Sequence, residues 1–315
     1  MASREPRVLV LAGGISHERD ISLRSGRKVV DGLASHGIHA ELRDPDATLL
    51  DYLEEHRPDV VWPVLHGASG EDGALRALLD MLGIPYVGSR AESTRIAWNK
   101  PVAKTMVEAK GVRTPASITL SRDAFRELGA ESVLRTVIDS LDIPLIVKPA
   151  HGGSAQGVSW VDSTDELRRA MVHAFTYSDS ALVEKRILGV EVCVTIIDTG
   201  DGPTAIAPVE IEPRSGHYDF EARYTAGATR FYTPPRLDDS VVGETRDLAL
   251  SAHQALGLRH LSRVDFIVDT EGRPWFLEAS TMPGLTETSS TVLAIDAAGY
   301  DVGGVYAALV RSVLS

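Results

Sequence analysis

Cysteine is almost missing: Cys193 is the one instance in 315 residues. No intrachain disulfide can form, and a metal site built on several thiolates is excluded. Lysine is nearly as scarce. Lys28, Lys100, Lys104, Lys110, Lys148 and Lys185 are all there are, and arginine supplies the rest of the 32 basic residues. Acidic residues number 44, so the formal net charge is −12. A dedicated nucleic-acid binder carries a basic footprint, so no nucleic-acid partner is expected. No apolar run approaches the ~18–20 residues that cross a bilayer, and no membrane association is expected. The first apolar run, Val8 to Ala12, is too short for a secretory signal. These absences make the cytoplasm the expected location.

Hydrophobic residues make up 43% of the chain, enough for a packed core. Cys193 lies within Val190 to Ile197, an apolar run, and reads as a buried strand residue rather than a nucleophile. Arg7 to Ala12 reads as a parallel strand closed by Gly13-Gly14, and a helix follows over Ser22 to Ser35. Val60 to Leu65, a helix over Ala74 to Leu82, and a third strand over Ile84 to Gly88 continue the alternation. This pattern predicts a small doubly wound parallel unit over roughly the first hundred residues. The middle differs. A helix over Lys100 to Gly111 leads into strands at Ala116–Leu120, Leu145–Lys148, Gly157–Val161 and Ala181–Lys185, with a helix at Asp165–Ala174. That is an α+β unit with mostly antiparallel pairing. The last part, from near Gly189, offers the Cys193 strand, a strand over Thr204 to Ile211 and a polar loop over Glu212 to Pro235. A helix over Asp238 to Leu256 and a hairpin of Ser262–Val268 with Pro274–Ala279 complete it. Three lobes packed around one cleft are expected.

Three segments carry chemistry. In the first, Lys148 closes an apolar strand and a loop containing Gly152, Gly153 and Gly157 follows. Such backbone can approach phosphates closely and point N–H groups at them; it can also be a plain hairpin loop. It is neither a Walker A loop nor a Rossmann fingerprint. In the second, Glu184 to Glu191 alternates charged and apolar residues between two strands. That suits either an ion-paired edge or a nucleotide hinge, with Glu184 reading adenine and Glu191 taking ribose hydroxyls. The third pairs Arg263-Val264-Asp265 with Glu278-Ala279-Ser280. Period-two spacing puts Arg263 and Asp265 on one face, and Glu278 and Ser280 on one face of the next strand. If the strands are hairpin neighbours, two carboxylates and a hydroxyl converge. Magnesium suits such an oxygen set beside substrate phosphates, and an Arg–carboxylate structural pair is the competing reading.

Read in order, these segments and their neighbours resemble the ATP-grasp superfamily, specifically the D-alanine–D-alanine ligases. The matching strings are Gly13 to Ser22, His66 to Gly73, Asn99-Lys100, VKPAHGGSAQG from Val147, Glu184-Lys185, Tyr218 to Tyr224, Ser262 to Asp265, and LEASTMPGLTETSS from Leu277. The resemblance implies an ATP-grasp fold behind a parallel-sheet domain. Its expected parts are an N-terminal α/β substrate domain (1–98), a central subdomain (99–188) and a C-terminal subdomain (189–315). It implies ATP-dependent formation of D-alanyl-D-alanine through an acyl phosphate, in peptidoglycan synthesis, by a homodimer. ATP and Mg2+ or Mn2+ are the implied cofactors, and D-alanine the substrate. Lys100 and Lys148 are implied to hold phosphates, with Arg223 nearby; Glu184, Lys185 and Ile187 the adenine; Glu191 the ribose. Asp265, Glu278 and Ser280 are implied metal ligands. Arg263 and the Gly284 N–H are implied to serve the acyl phosphate and the oxyanion. Glu18 is implied to pair with the first ammonium beside His66, Ser154 and Tyr224 to link the glycine loop to a mobile loop, and Ser289 with Ser290 to receive the second carboxylate.

Each residue also has a plainer reading: Glu18 as a helix cap, His66 as a core histidine, Tyr224 as a packing anchor, Ser154 as a turn residue. Three positions depart from the family's pattern. Ser280 stands where an asparagine is usual, Arg223 replaces a lysine, and Ser290 replaces a leucine. Arginine keeps the charge but changes a point ammonium into a planar fork. The departures leave two alternatives: a related amide ligase with another amino-acid substrate, in specialised metabolism or as a drug-tolerant second copy, and a nucleotide binder with little catalysis. By the same resemblance, Tyr224 implies amide rather than ester formation, because the family's ester-forming members usually lack this tyrosine.

Overall fold

The computed structural model describes residues 5–315; residues 1–4, which open the first expected domain, lie outside the described residues. The first lobe runs β1 (Val8–Leu11), α1 (Arg19–Ala34), β2 (Ala40–Arg43), α2 (Leu49–His56), β3 (Val60–Pro63), α3 (Ala68–Glu71), α4 (Ala74–Leu82) and α5 (Ala91–Trp98), and α6 (Lys100–Glu108) leads out of it. The central lobe holds β4 (Ser117–Ser121), α7 (Arg122–Glu127), α8 (Ala130–Leu141), β5 (Leu145–Pro149), β6 (Ser159–Val161), α9 (Thr164–Ala174) and β7 (Ser180–Lys185). The last lobe follows with β8 (Gly189–Ile197), β9 (Thr204–Ala205), β10 (Val209–Pro213), α10 (Phe220–Tyr224), β11 (Thr229–Tyr232), α11 (Asp239–Ala255), β12 (Leu261–Asp269), β13 (Pro274–Ser280), α12 (Ser290–Ala297) and α13 (Val302–Leu314).

β1 is buried at every position, as an aliphatic strand covered on both faces must be. It lies between β2 and β3 in a parallel sheet. The turn after it requires glycine: a Cβ on Gly13, at φ +116°, would sit 2.5 Å from an Asp44 carboxylate oxygen. The expected third strand over Ile84–Gly88 is a correction. Only a single bridge, Val61 to Tyr86, forms there. Pro85 offers its carbonyl to Val61 but has no N–H to extend a ladder.

The central sheet, in the order β4-β7-β5-β6, is antiparallel throughout, as expected. The last sheet runs β11-β10-β8-β12-β13, with β9 beside β8. The expected strand over Thr204–Ile211 is broken into β9 and β10 around Pro208, which cannot donate to a ladder. The expected polar loop over Glu212–Pro235 contains α10 and β11. Asp219 nucleates α10 by accepting the Ala222 N–H at 2.8 Å, a cap too local to leave an apolar period.

One face of the last sheet shares its core with the first lobe: Cys193, Ile211 and Leu261 join Val10, Trp62 and Leu309. The other face packs α6 and α11 around Val194, Phe266 and Phe276. The central lobe keeps a core of its own around Leu145, Leu167 and Val183. The cleft therefore opens where the central lobe meets the other two. Cys193 is fully buried, and burial pushes its thiol up to about 12; it is the inert strand residue expected. Among the described residues no single helix is long and apolar enough to cross a membrane.

Candidate active site

The cleft contains two joined chambers whose shared wall includes Lys100, Gly152, Gly153, Tyr218, Arg223 and Glu278. The outer chamber has a volume of about 500 Å³, within the range of small-molecule sites.

Three lobes meet in the inner chamber at Glu18. This residue sits at the mouth of α1, 7% exposed. Tyr224, at the end of α10, donates its hydroxyl to Glu18 at 2.8 Å. Ser154, in the glycine loop, also hydrogen bonds Glu18 and lies 2.6 Å from the Tyr224 hydroxyl. Ser154 adopts φ +51°, an uncommon conformation that the surrounding contacts hold. Burial, reinforced by the Glu18 charge, pushes the Tyr224 phenol above its ordinary range and keeps it protonated. His66 lies beside them, 4% exposed, and burial lowers its pKa, so its imidazole is neutral. Its Nε2 has no hydrogen-bond partner among the described residues.

Arg263 and Asp265 form a bidentate pair with both bonds at 2.7 Å. Burial opposes the guanidinium charge, but Asp265 overcomes it and holds the pKa well above its ordinary value. Gly284 lines the same chamber. A Cβ there would come within 2.9 Å of Ser289 Oγ, so a side chain would require the Ser289 hydroxyl to move. Ser289 Oγ accepts the Thr286 N–H at 3.0 Å and lies 2.8 Å from Thr286 Oγ1. Ser290 is buried and also reaches the chamber.

In the outer chamber, Glu184 is 2% exposed and held by Lys104 at 2.8 Å and by Lys148. Burial raises a carboxyl pKa; here the two lysines outweigh it and keep Glu184 ionised. Lys185, Ile187 and Glu191 line the same chamber. Lys185 Nζ donates to the Ile143 carbonyl at 3.3 Å. Burial pushes Glu191 up to about 7, with Asp265 and Glu278 adding to it against Arg223. Arg223 stacks over Tyr218 at 4.2 Å, which a planar guanidinium does well.

Asp265 and Glu278 are cross-strand neighbours, and so are Arg263 and Ser280. Lys100 Nζ lies 3.0 Å from Glu278. Burial disfavours the Glu278 charge, yet Lys100, Arg223 and Lys148 bring its pKa down to about 2. No cluster of three or more His, Cys, Asp or Glu forms a complete metal cage among the described residues. Asp265 and Glu278 are the kind of carboxylate pair magnesium takes beside water and substrate phosphate, although Asp265 is engaged by Arg263, the structural pair that was the competing reading, and Ser280 borders the inner chamber rather than the outer one.

All the residues expected from the sequence thus border the two chambers. Others were missed. Glu71 lines the inner chamber half-buried, and its desolvation there with the nearby Glu18 charge pushes it up to about 8. Lys104 lies one turn beyond Lys100 on α6, and that i,i+4 spacing was the available signal. Glu71 and Tyr218 were visible only as members of matching strings, with no role attached.

A two-chamber cleft between antiparallel lobes, carried on a parallel-sheet domain, defines an ATP-dependent ligase of the ATP-grasp class. The chain belongs to the D-alanine–D-alanine ligase family: residues 39–89 match the D-ala D-ala ligase N-terminus and residues 106–315 the D-ala D-ala ligase C-terminus. A D-alanine–D-alanine ligase from Bordetella petrii is 38% identical, over 98% of this chain and 91% of its own. The Bacillus anthracis D-alanine–D-alanine ligase complexed with ATP superposes with TM-score 0.80 at 26% identity, over 98% of this chain and 97% of its own. The VanG D-Ala:D-Ser ligase from Enterococcus faecalis gives TM-score 0.82 at 26% identity, over 99% of each chain.

Proposed function

We propose that this chain joins two D-alanines at the expense of ATP, releasing ADP and phosphate. The observation that carries the reading is the convergence of Glu18, Ser154 and Tyr224 beside Arg263. A carboxylate at that point suits an amino acid's ammonium, and a guanidinium suits its carboxylate. The outer chamber takes ATP, with the base near Glu184, Lys185 and Ile187, the ribose near Glu191, and the phosphates near Lys100, Lys148 and Arg223. The γ-phosphoryl group passes to a carboxylate oxygen of the first D-alanine. The second amine then attacks that carbonyl carbon and loses a proton, and the carbon–oxygen bond to phosphate breaks. Arg263 and the Gly284 N–H face the negative charge that develops. His66 borders the first amino acid, and Ser289 with Ser290 the second.

Asp265, Glu278 and Ser280 would hold Mg2+ or Mn2+, which when bound supplies neutralising charge for the phosphates. A role in peptidoglycan synthesis, a cytoplasmic location, a homodimer and the three-part division at residues 98/99 and 188/189 complete the proposal; these follow from the family resemblance. The test is phosphate release from ATP against a panel of D- and L-amino acids. Release that depends on D-alanine, with D-alanyl-D-alanine as product, is expected. Release only with a D-alanine plus D-serine mixture, or only with another amino acid, would sink the reading.

A further inference from the structure

We infer that Ser25 and the Lys28–Glu287 pair are positioning residues for the second amino acid, holding the loop over residues 281–289 against α1. The inference rests on the proposed dipeptide reaction. The function described so far uses α1 only at its mouth, through Glu18, and leaves Lys28 without a role. Yet the next turns of α1 reach the loop that carries Gly284 and Ser289. Ser25, fully buried, accepts the Leu285 N–H at 3.1 Å. That fixes the peptide immediately after Gly284. Lys28 Nζ meets Glu287 at 2.7 Å, and Arg24 reaches the same carboxylate at 3.7 Å.

Positions 24, 25 and 28 are spaced to share one helix face. Their two anchor points, Leu285 and Glu287, flank Thr286, whose N–H fixes the Ser289 hydroxyl at 3.0 Å. The helix therefore sets the distance between the two amino-acid seats, Glu18 at one end and Ser289 across the loop. The Lys28–Glu287 pair is half exposed, so it adds little to stability. Its effect is to restrain the loop, and the buried Ser25 bond is the stronger of the two restraints.

The experiment measures separate KM values for the first and second D-alanine and for ATP. Ser25→Ala is expected to raise the second KM about tenfold, the cost of one buried hydrogen bond, while the other two move less than about twofold. Glu287→Gln is expected to raise the same KM about threefold, and less at high salt. Exchanging the charges (Lys28→Glu with Glu287→Lys) should bring it back toward wild type. A purely structural role would move all three KM values together; that result, or no change in the second KM, overturns the brace. If Ser25→Ala does not fold, the surface charge exchange decides. Dipeptide formation by the wild type with an unmoved second KM counts against the brace alone. Absence of dipeptide removes the functional reading and the brace with it.

Discussion

Arg263→Ala lowers kcat by about 100- to 1000-fold, the usual loss when a preorganised charge partner of the transition state is removed. Arg263 borders only the inner chamber, whereas its partner Asp265 borders the outer one. The expected pattern is therefore a collapse of turnover with ATP still bound. Arg263→Lys keeps the charge but not the fork that makes two bonds of 2.7 Å to Asp265, so it recovers only part of the rate. Steady-state turnover beside equilibrium ATP binding checks this. An Arg263→Ala enzyme with near wild-type turnover would remove Arg263 from the chemistry.

The second large effect is on stability. Glu184 is buried between Lys104 and Lys148. Glu184→Gln leaves two buried ammonium groups facing a neutral amide, and costs about 3–5 kcal/mol. Adding Lys104→Met should return part of that loss, because one stranded charge is gone and the pair is coupled. Thermal unfolding of the ATP-free protein, followed by circular dichroism, measures both. A Glu184→Gln protein that melts with the wild type would show that the three charges do not support the central lobe.

The sign of Glu184's contribution follows from its lowered pKa. Stability from its charge is present above the unfolded carboxyl pKa. It is lost as pH falls through the folded one.

Much of this site was legible in the sequence, for local reasons. The β12–β13 hairpin announces itself by turn composition and period-two spacing, and the register does place Asp265 opposite Glu278. Scarcity of lysine drew attention to Lys100 and Lys148, and both face the chambers. Less legible were features made by distant contacts. Glu71 looks like any surface carboxylate until α3 brings it into the chamber that holds Glu18. Lys104 resembles a solvated helix position until β7 brings Glu184 to it. Beyond Ser290 the C-terminal segment gave no site signal, yet α13 completes the core of the first lobe through Tyr306, packed edge-on to Trp62 at 5.4 Å. Pro85 and Pro208 each shortened an expected strand by withholding one N–H, an effect that apolar periodicity does not register.

Arginine at position 223 has a geometric reason here: it stacks on Tyr218. Serine at position 280 accepts the Met282 N–H at 3.3 Å and lies 3.5 Å from Glu71. No comparable contact explains why serine rather than asparagine stands there.

The central claim is that phosphate is transferred to the first amino acid's carboxylate and leaves when the second amine attacks. The most direct measurement supplies D-alanine carrying heavy oxygen in its carboxylate and analyses the released phosphate by mass spectrometry. One heavy oxygen in the phosphate for each dipeptide formed is the expected result. Phosphate free of the label, at the same yield of dipeptide, would contradict the account.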